Sequence, residues 1–247
     1  MFMRMIYKWG VILTCMLLLG CDTSKQKGQS ISFDYPESKI WAHRVNDTCE
    51  AKIKKNEFVG MELDLYYSSF QDKIWVAHDL CDTANELSFD SWLAALSDQN
   101  KNYYWLDFKN LDVNNSDVIS KRLLQLSEQY HIKEHVMIES YDWNALKIIK
   151  DKGLAVILWV DNINDDKNRD TLAWYRKTKD KIMALQPHAI SSRADMYSLL
   201  IQSFPQMNIH LWNTPIKKDT IGNLKLTELL CKDSLIKVVL VDYYADI

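Results

Sequence analysis

From residue 39 onward, short apolar runs alternate with longer stretches whose apolar residues recur every three or four positions. Runs of the first kind cover 39–45, 60–67, 74–78, 103–109, 135–140, 155–161, 189–192, 208–213 and 237–242. Their apolar composition predicts strands. Helical spacing covers 88–96, 116–130, 143–152, 169–185, 196–203 and 224–231. Gly153 stands where one helix should stop, and Gly222-Asn223 where another should start, with Asn223 as its N-cap. Strands alternating with helices predict a parallel sheet, and about eight such strands in one α/β domain predict a (β/α)8 TIM barrel. The other arrangement, an open doubly wound sheet, carries a glycine-rich loop after its first strand. This chain has six glycines in all and no such loop, so the barrel is the expectation.

In a barrel of this kind, chemistry sits at the C-terminal ends of the strands. Charged clusters fall there: His43-Arg44, Glu62-Leu63-Asp64, His78-Asp79 and Asp107-Phe108-Lys109. Period-two alternation puts Glu62 and Asp64 on one face of their strand and Met61, Leu63 and Leu65 on the other. The apolar face must meet the helices, so the two carboxylates point into the barrel. Two neighbouring buried carboxylates repel unless a cation lies between them or one is protonated. Trp105, Asp107 and Lys109 share a face in the same way, and Asp107 adds a third oxygen. Three carboxylates favour Mg²⁺ or Ca²⁺ over zinc. Lys109 either contacts a phosphate oxygen or simply pairs with Asp107.

His43 and His78 each end a predicted strand. Histidine side chains exchange protons near neutral pH, so a pair suits general acid and general base work. Arg44 and Asp79 are expected just past the strand ends, where Arg44 can bind phosphate as a planar fork. Glu139 either faces inward or caps its strand. Trp159 with Asp161, and His210 with Trp212, are inward pairs that wall a substrate or fill the core. Asp242 closes the last strand, beside whatever it orients.

Arg4 and Lys8 precede a short apolar segment that ends in Leu18-Leu19-Gly20-Cys21. The segment is short for a spanning helix and reads as a leader. Its junction resembles the bacterial lipoprotein signal, which implies removal of the leader, lipidation of Cys21 and a membrane anchor in the cell envelope. Residues 22–35 are polar and read as a tether, leaving 36–247 as one domain. The net charge is −3, and loss of Arg4 and Lys8 makes it more negative by two charges. The lack of a basic stripe argues against nucleic acid as a partner. Of five cysteines, Cys49 and Cys81 follow the His43 and His78 segments, so a Cys49–Cys81 disulfide across the mouth is expected. Cys231 lies in a helical stretch and reads as a buried thiol.

Taken in order, Trp41-Ala42-His43-Arg44, Glu62-Leu63-Asp64, Val76-Ala77-His78-Asp79, Leu106-Asp107-Phe108-Lys109 and Leu240-Val241-Asp242-Tyr243 resemble the glycerophosphodiester phosphodiesterase-like superfamily, the phosphatidylinositol-phospholipase-type barrels. Asp107 stands where glutamate is usual and Val241 where threonine is usual. Residues 43–46 and 106–109 look closer to the menorin branch. The resemblance implies a phosphodiester hydrolase acting on glycerophosphodiesters or lipid headgroups. By position it makes His43 and His78 the acid–base pair and Glu62, Asp64 and Asp107 the ligands of one divalent cation. Arg44, Lys109 and Trp212 become substrate contacts. The competing expectation is a non-catalytic barrel at the cell surface that binds a phospho-ligand or a protein; an intact histidine pair argues against it.

Overall fold

The structure, a computed structural model, describes residues 33–167, 169–214 and 220–242. The expected leader, Cys21 and most of the expected tether lie outside the described residues. In chain order the strands are β1 (Ile40–Ala42), β2 (Gly60–Ser68), β3 (Lys73–Val76), β4 (Tyr103–Phe108), β5 (Val136–Ser140), β6 (Ala155–Trp159), β7 (Ala189–Arg193), β8 (Ile209–Asn213) and β9 (Ile236–Val241). Between them run α1 (Thr48–Glu57), α2 (Phe89–Ala94), α3 (Ser116–Gln129), α4 (Trp143–Asp151), α5 (Thr171–Leu185), α6 (Tyr197–Ser203) and α7 (Thr220–Cys231). Eight strands, all but β3, pair in parallel, and β1 joins both β9 and β2 to close the barrel. The (β/α)8 architecture expected from the alternation is present.

Alternation along each strand separates two cores. Met61, Leu63 and Leu65 of β2 join Leu106 and Phe108 of β4 in the layer between barrel and helices. Trp41, Trp105, Met137, Ile157, Val238 and Leu240 fill the interior. Short acidic or hydroxyl caps set where helices begin. Asp47 accepts from the N–H groups of Cys49 and Glu50 at α1, Ser88 from Ser91 at α2, and Asp142 from Asn144 and Ala145 at α4. Each satisfies donors that the first turn leaves unpaired. Gly153, at φ 93, follows α4 as the sequence predicts.

Several elements depart from expectation. β3 is no barrel strand: it returns antiparallel along β2, with Leu65 opposite Val76 and Ser68 opposite Lys73. A four-residue turn between apolar runs closes a hairpin, whereas a parallel crossover needs a dozen residues or more. α1 carries only two buried residues, Ala51 and Lys54, so it shows no apolar period and is identified by its Asp47 cap instead. α7 begins at Thr220, which puts Gly222-Asn223 inside the helix rather than at its cap.

Tether and disulfide also need correction. Phe33 and Tyr35 pack beneath the barrel, Phe33 edge-on to Tyr35 and to Tyr103 at the start of β4. The packed domain therefore begins by residue 33. Cys49 and Cys81 are both exposed free thiols, not a disulfide. Each is held in its own local turn, Cys49 by Asp47 in the first turn of α1 and Cys81 by its N–H bond to Asp79.

Candidate active site

At the C-terminal mouth of the barrel lies a cavity of about 670 Å³, lined among others by His43, Arg44, Glu62, His78, Asp107 and Lys109. Register explains why they meet. Asp64 of β2 pairs with Asp107 of β4, and Asp107 with Glu139 of β5, so three carboxylates stand side by side on adjacent strands. Glu62 lies one inward position below Asp64. Glu62 and Asp64 are only 2% and 1% exposed.

Burying such a row demands compensation. Lys109 supplies part of it: its ammonium contacts Asp107 and lies 2.6 Å from Asp64 Oδ1. Asn46 donates its side-chain N–H to Asp64 Oδ2 at 2.8 Å and accepts the Asp64 backbone N–H at 3.0 Å. Arg44 Nε is 3.6 Å from Asp64 Oδ2. Burial alone would raise the Asp64 carboxyl, but Lys109, Asn46 and Arg44 together hold it below its ordinary value. Asp107 stays raised, because burial outweighs its contact with Lys109. Glu62 is raised well above its ordinary range by burial and by the charges of Asp64 and Asp107.

A turn after β1 brings the next group in. Arg44 sits at φ 52, a left-handed conformation costly for a side-chain-bearing residue. That turn points the Arg44 backbone N–H at Glu62 Oε2, 2.7 Å away, and leaves the guanidinium on the rim. His43, one residue past β1, has Nδ1 2.6 Å from Asp242 Oδ1 and Nε2 3.8 Å from Glu62 Oε2. A carboxylate only accepts, so Nδ1 carries the proton and Nε2 is the nitrogen able to take one. Asp242, just past the end of β9, thus orients His43.

His78 reaches the same mouth from a different direction. β2 rises past the rim, turns, and β3 descends to the level of Leu65, where the Ala77 N–H bonds the Asp64 carbonyl at 2.9 Å. His78 follows, exposed, and lines the same cavity as His43. Its neighbours Asp79 and Asp82 accept backbone N–H bonds of that loop, Asp82 Oδ2 from His78 itself.

Of the residues expected to serve catalysis, metal or substrate, all but Asp64 line the cavity. Asp64 does not line it, its carboxylate being covered by Lys109, Asn46 and Arg44. Lys109 pairs with two carboxylates, so the ion-pair alternative describes it, and the ammonium is shared between them. The two inward pairs divide: Asp161 does not face inward, and His210 takes the core alternative. Asp161 lies outside on the rim, its carboxylate 3.2 Å from Lys177. His210 is buried well below, with Nε2 3.0 Å from Tyr35 Oη. Trp159, paired with Asp161, and Trp212, paired with His210, do line the cavity.

Glu139 faces inward, with Oε2 accepting from Trp105 Nε1 at 2.8 Å and Oε1 from the Ser191 hydroxyl. Burial and the Asp107 charge push it up to about 8. Tyr141, Thr214 and Asn46 are contributors not singled out from the sequence. Tyr141 continues the inward period Met137, Glu139, Tyr141 past the end of β5, which was the available signal. Asn46 acts only because the turn after β1 folds back, and it left no pattern.

Do these residues suit a metal ion? Glu62, Asp64 and Asp107 each offer one oxygen, all within 4.8 Å of one another. Three hard oxygen donors, and an excess of negative charge that Lys109 only partly offsets, fit a divalent cation such as Mg²⁺ or Ca²⁺.

No family model and no curated protein sequence matches this chain. Solved structures do. A glycerophosphodiester phosphodiesterase from Parabacteroides distasonis superposes with TM-score 0.60 at 13% identity, over 85% of this chain and 94% of that one. A phosphodiesterase from Oleispira antarctica, in complex with the product sn-glycerol-3-phosphate, gives 0.58 at 13% identity, over 85% and 94%. A glycerophosphodiester phosphodiesterase from Agrobacterium tumefaciens gives 0.55 at 12%, over 83% and 95%. The fold is thus the barrel those phosphodiesterases use; at such identities the likeness establishes the fold and stops there.

Proposed function

We propose that this protein is a metal-dependent phosphodiester hydrolase acting on glycerophosphodiesters or lipid headgroups. One observation carries the reading: His43 oriented by Asp242, a second histidine, the Arg44 guanidinium and the carboxylates Glu62 and Asp107 all line one cavity, with Asp64 close behind them. The fold shared with glycerophosphodiester phosphodiesterases supports it.

Arg44, half exposed on the rim, binds the phosphate and sets its orientation. Asp242 holds the His43 Nδ1 proton, so Nε2 exchanges a proton with the attacking or departing oxygen. His78, which lines the same cavity, serves the other oxygen. Glu62, Asp64 and Asp107 would hold the cation, which when bound supplies electrostatic stabilisation of charge developing on the phosphate oxygens. Lys109 keeps Asp64 and Asp107 in place. Trp212 lines the cavity wall against the substrate.

Lipidation at Cys21 would place the enzyme on a membrane of the bacterial cell envelope; the leader pattern and its small-residue–Cys junction support that reading. Among the described residues no helix is long and apolar enough to cross a membrane.

The test is incubation with a panel of glycerophosphodiesters and lysophospholipids, with Mg²⁺, Ca²⁺ or chelator, and identification of products by mass. Metal-dependent cleavage is expected, by water or with formation of a cyclic phosphate, which mass distinguishes. His43→Ala should lose turnover and keep metal binding, whereas Glu62→Ala should lose both. Full activity in His43→Ala would refute this mechanism.

A further inference from the structure

A column of buried side chains joins the cavity to the N-terminal strap that packs beneath the barrel. Trp105 and Glu139 line the cavity from β4 and β5, and Trp105 Nε1–H donates to Glu139 Oε2 at 2.8 Å. Against Trp105 stands His210 of β8, its ring 5.0 Å from the indole and itself fully buried. Against His210 stands Tyr35, ring to ring at 5.5 Å and 80°, with its hydroxyl 3.0 Å from Nε2. Contact therefore passes without a break from the floor of the barrel to the cavity wall.

One end of this column is weakly held. Residues 33–38 form no helix or strand, and among the described residues no backbone hydrogen bond ties them to the barrel. The strap is held by its rings, Phe33 edge-on to Tyr35 and to Tyr103, and by the Tyr35 hydroxyl, which reaches His210 and Asn208. Such a segment opens far more readily than the strands it covers. His210 depends on it. Its Nδ1 has no hydrogen-bond partner among the described residues, and its Nε2 has Tyr35. Lifting the strap leaves both nitrogens of a buried imidazole unsatisfied, or admits water to the barrel interior. The relief open to His210 is to turn toward a new partner, which displaces Trp105, packed on its ring. Trp105 carries the hydrogen bond that orients Glu139 on the cavity wall.

We propose that Tyr35 and His210 are positioning residues for the active site: the seated strap fixes Trp105 and Glu139 on the cavity wall, and a lifted strap loosens them. This deepens the hydrolase reading and, for turnover, rests on it. The coupling is reciprocal, so whatever fills the cavity also holds the strap down.

The test reads the cavity wall first and turnover second. The Trp105 indole N–H is identified in the NMR spectrum of nitrogen-labelled, full-length protein as the signal lost in Trp105→Phe. Its hydrogen exchange is then followed in chelator. Tyr35→Phe keeps the ring and removes the hydroxyl. Its indole N–H should exchange about tenfold faster than the parent's, and its kcat/KM should fall about fivefold or more. Leu126→Ala, a truncation in the outer layer on α3, controls for lost stability. Thermal melting should place it at or below Tyr35→Phe, yet its kcat/KM should equal the parent's. Phe33→Ala loosens the strap and leaves both hydrogen-bonding groups in place. It should act in the same direction, and it decides the matter if Tyr35→Phe does not fold. Faster indole exchange in a protein that cleaves no diester would sustain the link from strap to cavity and defeat the hydrolase reading. Unchanged exchange, or faster exchange with kcat/KM equal to the parent's, would overturn the positioning role and leave the hydrolase reading intact.

Discussion

His43 Nδ1 lies 2.6 Å from Asp242 Oδ1, a contact between groups 199 residues apart in the chain. It joins the turn after the first strand to the end of the last, at the seam where the barrel closes. Because the carboxylate can only accept, it selects one tautomer of His43. Asp242→Asn, which can present its N–H instead, would favour the wrong tautomer. The expected outcome is a fall in kcat of about 10²–10⁴-fold with KM little changed, measured on whichever diester proves to be the substrate.

Lys109 is the counter-charge that lets Asp64 and Asp107 stand side by side. Replacing it with methionine keeps the packing and removes the charge. Urea denaturation in chelator should show a loss of about 3–5 kcal/mol, the usual cost of leaving a buried charge unpaired. Added Ca²⁺ or Mg²⁺ should then raise Tm more in Lys109→Met than in the parent, since the cation replaces the missing charge. An equal shift in both proteins would contradict the assignment of these carboxylates as ligands.

His210 is fully buried, with its ring 5.0 Å from Trp105, and burial pushes it down to about 3. In the unfolded chain it titrates near its ordinary 6.5. Between those values the unfolded state holds a proton that the folded state does not. This contribution to stability is therefore present above about pH 6.5 and is lost as pH falls toward 3, at roughly 1.4 kcal/mol per unit. Comparing unfolding free energies across that window in the parent and in His210→Gln checks it. The variant's slope should be smaller by about one proton.

Gly60 opens β2 flat against the Trp41 indole. A Cβ there would overlap the indole ring atoms, and Trp41 is wholly buried among interior side chains. The ring has nowhere to go, so Gly60→Ala should cost about 1–3 kcal/mol, read as a lower denaturation midpoint at unchanged slope.

Period-two and period-three-to-four spacing were enough to foresee the barrel, the inward aim of Glu62, Asp64, Asp107 and Lys109, and the mouth as the place of chemistry. These are local properties: side-chain direction alternates along any strand, and the apolar face must meet the helices whatever the partner strand is. Strand partners and directions are not local. Only the tertiary structure decided that β3 runs antiparallel and delivers His78 from above the rim. The same holds for Asp242 closing on His43, and for Phe33 and Tyr35 sealing the floor. It also decided that Cys49 and Cys81 stay apart, that His210 is core while Trp159 and Trp212 are wall, and that Asn46 serves Asp64. Each depends on which distant segments pack together, and that is settled by burial summed over the whole barrel, not by the pattern of any one segment.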